Sequence, residues 1–220
     1  MLSINFVRRA SEVLFNPALR KHFSVVRNNM DTKIATFIQN IHPLSDDILE
    51  DVISHFQHLE YPKNYLLLKQ GRPCKHLWFL IQGAVRYFYT DEDGKDSNVW
   101  FSLDTDVITD APSFVSHKPS NECIQLLEDS ELYAIERNNL YSLLQKHHSF
   151  ALWHIRLVEK HYVSQIEERT SDLQFLTAKQ RYEKLLLQFP NISNRISLGH
   201  IASYLNITQE TLSRIRSGKL

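Results

Sequence analysis

The stretch Ser197-Leu198-Gly199-His200-Ile201-Ala202-Ser203-Tyr204-Leu205-Asn206-Ile207-Thr208-Gln209-Glu210-Thr211-Leu212-Ser213-Arg214-Ile215-Arg216 meets the steric demands of a helix-turn-helix at their required spacing. Two helices that cross closely need a small residue on the first, and Ala202 supplies it. The turn between them needs a residue that tolerates left-handed φ; Asn206 is the best choice after glycine. The second helix must bury one face. Leu212 and Ile215 form that face opposite Ile201 and Leu205, with Ile207 plugging the turn. Thr208 is placed to cap the second helix, and Glu210 in its first turn complements the positive helix end.

Gln209, Glu210, Ser213, Arg214 and Ser217 are left on the unburied face. Such a face can reach base edges. Arginine can donate two bonds to guanine, glutamate can accept from cytosine, and glutamine can pair with adenine. The expectation is that Gln209, Glu210, Ser213 and Arg214 read DNA bases. Thr208, Arg216 and Lys219 are then placed for phosphates. The bland alternative is a helical hairpin with a solvated polar face.

Upstream lies a helical stretch from about Ser149 to Arg169. Its narrow stripe of Leu152, Ile155, Val158, Tyr162 and Ile166 is nearly heptad-spaced, which suits a partner helix better than a broad core. Leu140, Leu143 and Leu144 mark a shorter helix before it. Tyr61 to Ile135 is different in kind: short aromatic and β-branched runs at Tyr65–Lys69, Leu77–Ile81, Val85–Tyr89, Asn98–Phe101, Ile124–Leu127 and Leu132–Ile135 are separated by turn signals. Asp93-Gly94 between two of them is a hairpin signal. The strands follow one another too closely for parallel crossovers, so an antiparallel barrel or roll of about seven strands is expected. Lys33 to Leu59 reads as helical, broken at Pro43 and restarted at Ser45. Residues 1–29 read as a loosely attached arm, with Met30 as an alternative start.

The fold expected is α+β: arm 1–29, antiparallel β-roll 30–147 flanked by helices, long dimerisation helix 148–170, and helix-turn-helix domain 171–220. A β-wing could only lie near Phe189–Ser197, where Pro190, Asn191 and Asn194 suggest a loop.

With 43 % hydrophobic residues in 220, the chain can bury a core, and wholesale disorder is excluded. Net charge is zero, so nucleic-acid binding must come from a local patch. That patch exists: residues 171–220 hold Lys179, Arg181, Lys184, Arg195, Arg214, Arg216 and Lys219 against Asp172, Glu183 and Glu210. No apolar run approaches the roughly 20 residues of a membrane span, and the N-terminal stretch lacks the features of a secretory signal. A cytoplasmic protein is expected. Cys74 and Cys123 are the only cysteines, too few for a four-thiolate zinc or iron–sulfur site.

The order of helices, β-roll, long helix and helix-turn-helix resembles the Crp/Fnr family of transcription regulators over about residues 33–217. Tyr65-Leu66-Leu67-Leu68-Lys69-Gln70-Gly71, Trp78-Phe79-Leu80-Ile81-Gln82-Gly83-Ala84-Val85-Arg86, Lys118-Pro119-Ser120 and Leu127-Glu128-Asp129-Ser130-Glu131-Leu132 are similar to segments of that family. Ile201–Leu205 and Glu210–Arg216 are the most specific matches. The resemblance implies that Glu210 and Arg214 contact bases. It also implies a homodimer through the long helix, recognition helices about 34 Å apart in successive major grooves, and RNA polymerase as a partner.

One departure is large. Family members that bind cyclic AMP carry a Gly-Glu pair and, further on, an Arg followed by Ser or Thr. Here Thr109-Asp110 replaces the pair, Ser120 and Asn121 replace the Arg and its neighbour, and no Arg lies between Arg86 and Arg137. A phosphate in a partly buried pocket needs a positive partner or several donors. Lys118 reads as a surface turn residue. Asp110, Ser120 and Asn121 therefore remain candidates to line an effector pocket, with cyclic AMP not expected in it and no cofactor or metal assigned.

Two other functions compete. A sensor module without DNA binding would leave Gln209–Ser217 as a solvated face. A roll-borne metal enzyme would need a His-x-His pair, whereas only His76 and His117 occur between Tyr61 and Ile135. Haem would need an axial histidine, and no motif selects one among His42, His55, His58, His76 and His117.

Overall fold

The computed structural model describes residues 32–159 and 164–219, and their side chains except those of 164–167. Helix α1 (32–41) is followed by α2 (Asp46–Ser54). The roll contains β1 (Gln57–Tyr61), β2 (Leu66–Leu68), β3 (His76–Gln82), β4 (Val85–Thr90), β5 (Asp96–Ser102) and β6 (Asp106–Ile108). Helix α3 (Ala111–Ser116) then precedes β7 (Cys123–Leu126) and β8 (Ser130–Glu136). Helices α4 (Arg137–Lys146), α5 (His148–Val158) and α6 (Ser164–Phe175) lead to the head. It comprises α7 (Ala178–Gln188), α8 (Ile192–Arg195), α9 (Leu198–Tyr204) and α10 (Gln209–Arg216).

The strands form two four-stranded antiparallel sheets, ordered β1-β8-β3-β6 and β2-β7-β4-β5. Phe79 on β3 is fully buried at the centre of the main core. Phe37 of α1 meets its ring edge-on at 4.9 Å, Phe56 after α2 at 5.1 Å, and Trp153 of α5 lies at 6.0 Å. Trp153 stacks on Phe150 and donates its indole N–H to Ile38 O at 2.8 Å. Burying so large a ring requires such a partner for its polar end. Helices α1, α2 and α5 are thereby fastened to the first sheet.

Three expectations are corrected. The helical reading from Lys33 to Leu59 ends too late, because α2 stops at Ser54, where the Ser54 hydroxyl and the His55 ring both engage Asp51 O. Gln57–Tyr61 then pairs with β8 as a strand. The short β6 was also not foreseen, so the described roll has eight strands rather than about seven. Finally, 189–197 forms no wing. Ile192 and Ile196 are both buried in the head core, and this four-residue spacing closes one helical turn, α8. No strand occurs among the described residues of the head.

The second sheet carries a feature that links the two halves. Val85 and Tyr87 of β4 face the roll core. Their alternates Arg86 and Phe88, which an open sheet would leave to solvent, are equally buried. His200 of the head meets Arg86, and Arg86 in turn covers the Phe88 ring. Ala84, Phe101 and Leu127 of the roll form one apolar cluster with Tyr182, Ile192, Ile201, Tyr204 and other head residues. Phe101 meets Tyr204 at 5.2 Å, and the edge strand β5 donates Asn98 N–H to Ser203 Oγ at 3.0 Å. The exposed edge of the sheet is thus blocked by α9.

Candidate nucleic-acid interface

The helix-turn-helix forms as its sterics require. Ser197 caps α9 by accepting from His200 N–H, and Thr208 caps α10 by accepting from Thr211 N–H at 3.1 Å. Asn206 holds φ at 55°, the left-handed turn conformation. Ala202, Leu205 and Leu212 are buried at the crossing. The end of α10 carries a stop signal that the sequence reading missed. Gly218 N–H donates to Ile215 O and Lys219 N–H to Arg214 O, a Schellman closure that Gly218 makes accessible at φ 69°.

Gln209, Glu210, Ser213 and Arg214 are all exposed on α10, opposite the buried Leu212 and Ile215. Thr208, Arg216, Ser217 and Lys219 are exposed beside them. The Thr208 hydroxyl is already engaged as the cap. Other cations in and just before the basic tail serve the fold. Lys184 binds Glu168 at 2.6 Å and Asp172 at 2.7 Å. Arg169 lies over the Tyr204 ring at 3.7 Å and donates to Tyr204 O, and Arg181 donates to Leu205 O at 2.9 Å. Two guanidinium groups therefore meet the negative end of α9, where the turn begins.

Arg195 reaches the roll. It donates to both oxygens of Asp104, at 2.6 and 2.9 Å, to Gly83 O at 2.8 Å, and to Glu128. Bonds to Asp104 and then Glu128 hold its proton still more firmly than in free arginine. On β4, Arg86 donates to Gln125 and to Asp96 at 2.9 Å and covers the Phe88 ring. Burial, then the charge of Arg86, depresses the pKa of His200 on α9.

On α5 the buried side chains are Phe150, Trp153 and Leu157. Leu152 and Ile155, expected at a helix–helix contact, are 39 % and 51 % exposed, and Val158 is half-buried. Glu159 keeps helical dihedrals (φ −58°, ψ −47°), and α6 continues to Phe175, beyond the expected limit of 170. Tyr162 and the side chain of Ile166 lie outside the described residues.

In the roll, Asp110 is buried and caps α3 through Ser113 N–H at 3.3 Å. The Ser113 hydroxyl accepts from Cys74 N–H and donates to Lys118 O. The Ser120 hydroxyl accepts from Glu122 N–H and donates to Glu122 O. Burial, then the charge of Asp110, raises the pKa of Glu122. Asn121 and Lys118 are exposed. Arg137 donates to Phe114 O at the far end of α3. Arg72 is a neighbour the linear sequence concealed: its carbonyl accepts from Ser120 N–H, and its side chain is exposed. His76 is half-buried and His117 exposed. Among the described residues no three metal-ligating side chains come together, and no helix is long and apolar enough to cross a membrane.

Residues 58–147 match the cyclic nucleotide-binding domain. The chain is 24 % identical over 183 residues to the cAMP-activated global transcriptional regulator CRP of Pasteurella multocida, covering 79 % of this chain and 87 % of that one. Among solved structures it is similar to FixK2 from Bradyrhizobium japonicum (TM-score 0.62, 21 % identity, 74 % and 83 % of the two chains). It is also similar to a putative transcriptional regulator of the crp/fnr family from Eubacterium rectale (TM-score 0.63, 16 % identity, 80 % and 85 %). The roll is thus a cyclic nucleotide-binding-like domain, and it bears a helix-turn-helix head. The chain therefore shares the fold of Crp/Fnr-type regulators.

Proposed function

We propose that the protein is a homodimeric, sequence-specific DNA-binding regulator whose roll does not take cyclic AMP. The observation that carries the reading is the exposure of Gln209, Glu210, Ser213 and Arg214 together on α10 while its other face is buried. Thr208, Arg216 and Lys219 flank that face as phosphate contacts, and RNA polymerase is the partner of the bound protein. Selection from a pool of random duplexes by the purified chain tests it. An enriched inverted repeat is expected; retention of DNA without sequence preference contradicts it.

The exposed Leu152 and Ile155 support dimerisation through α5. Covering a large aliphatic side chain gains about 1.5–3 kcal/mol, and a second copy of the same stripe can do so symmetrically. Ile155→Asp is expected to convert a dimer to a monomer in sedimentation at micromolar concentration. Persistence of the dimer places the interface elsewhere.

The exclusion of cyclic AMP rests on chemistry. Asp110 occupies the cap of α3 with a carboxylate, and Glu122 brings a second acid to it. The Ser113 and Ser120 hydroxyls are committed to backbone partners. A cyclic phosphate would meet negative charge where it needs donors. Titration calorimetry is expected to show no micromolar binding of cyclic AMP, and such binding refutes this part of the reading.

A further inference from the structure

We propose that Arg195 is a positioning residue that locks the helix-turn-helix head against the roll and so sets the spacing at which the two recognition helices read DNA. The proposal rests on the dimeric DNA-binding reading above. Its basis is the joint between head and roll. One guanidinium gathers three separate connections of the roll: Gly83 O between β3 and β4, Asp104 between β5 and β6, and Glu128 between β7 and β8. Asp104 is itself fixed, accepting from Gly83 N–H at 2.7 Å. Arg195 closes α8, whose Ile192 is buried in the cluster that runs from the head into Ala84, Phe101 and Leu127 of the roll.

A second anchor lies on α6. Arg169 of α6 holds the Tyr204 carbonyl and ring, at the end of α9. Besides the Asn98–Ser203 bond and the shared apolar cluster, the head is thus tied to the roll through Arg195 and to α6 through Arg169. It cannot pivot without breaking a contact in which one planar fork meets two carboxylates and a carbonyl. The reading face of α10 stays exposed in this docked arrangement, so the lock orients the head without covering it.

A rigid head gives a dimer one preferred distance between half-sites, whereas a tethered head accepts many. The test uses the full chain with no added ligand. Affinities are measured for a duplex with one half-site and for duplexes with two inverted half-sites at spacings stepped by one base pair. Wild type is expected to favour one spacing at least about tenfold over spacings two base pairs away. Arg195→Met, which keeps the aliphatic stem, is expected to lose that preference and bind the best duplex about tenfold more weakly, with half-site affinity unchanged within about twofold. Glu128→Gln, a milder change, is expected to flatten the profile in part. Retained spacing preference in Arg195→Met overturns the proposal, as does tighter binding of the best duplex. A fall in half-site affinity assigns Arg195 to the head's own fold and also overturns it. A wild type that reads half-sites but tolerates every spacing removes the lock alone; one that binds no duplex removes the DNA reading and the lock with it.

Discussion

Gly83→Ala is expected to be among the most damaging single substitutions in the chain, lowering stability by about 2–6 kcal/mol. Gly83 adopts φ 145°, a backbone region that L side chains rarely enter. A Cβ there would lie 2.2 Å from Ser130 Oγ, 2.7 Å from Ser130 Cβ and 3.0 Å from Leu80 Cδ1. The backbone cannot yield cheaply. Its N–H is held by Asp104 and its carbonyl by Arg195, so a shift large enough to relieve the clash also disturbs the joint with the head. Strain in a glycine-only region costs about 1–3 kcal/mol, and overpacking adds about the same. For a chain of this size the melting temperature should fall by about 4 °C or more. Adding Ser130→Gly should return part of the loss, which separates the clash from the dihedral strain. A Gly83→Ala protein that melts within about 2 °C of wild type contradicts the close approach of these strands.

Arg214→Ala is expected to abolish sequence preference while leaving the fold intact. Arg214 is exposed, and its side chain forms no part of the Leu212–Ile215 face that seats α10 on α9. Its removal should leave the melting temperature nearly unchanged. A bidentate arginine–guanine contact is worth about 1–3 kcal/mol. Two half-sites double it, so operator affinity should fall by about 30-fold or more. Arg214→Lys should recover little, because an ammonium lacks the planar fork. Binding to unrelated DNA should weaken far less, since Arg216 and Lys219 remain exposed. An operator affinity within about threefold of wild type would move base reading to other residues.

The helix-turn-helix was legible because its constraints are local: one small residue, one left-handed position, one cap and a buried face of helical spacing. Ala202, Asn206, Thr208, Leu212 and Ile215 each satisfy one of these in the structure. Most strands were legible for the same reason. Strand β1 was not. Gln57-His58-Leu59-Glu60-Tyr61 follows a helix with no Gly or Pro between, and its pairing with β8 is a long-range fact. Strand β6 is three residues long, too short to show a period.

The joint between head and roll escaped for a different reason. An open antiparallel strand should alternate apolar and polar residues, but Val85-Arg86-Tyr87-Phe88-Tyr89 and Val99-Trp100-Phe101 run apolar with little interruption. Such runs mark strands covered on both faces, and this was the signal available. The basic tail misled in part. Net charge cannot distinguish an arginine held by two carboxylates, as Arg195 is, from one that faces solvent, as Arg214 does. The surroundings of Ser120 show the same limit. Arg72 lies 48 positions before Ser120 yet beside it in space, joined through a strand–turn backbone contact.

The most direct test of the central claim compares purified wild type and Arg214→Ala on fragmented genomic DNA at one fixed salt concentration, reading the retained sequences. Base reading by α10 predicts that wild type enriches a near-palindromic motif and that Arg214→Ala, equally folded, enriches none. Failure of wild type to enrich any sequence, or recovery of the same motif by Arg214→Ala, would contradict it.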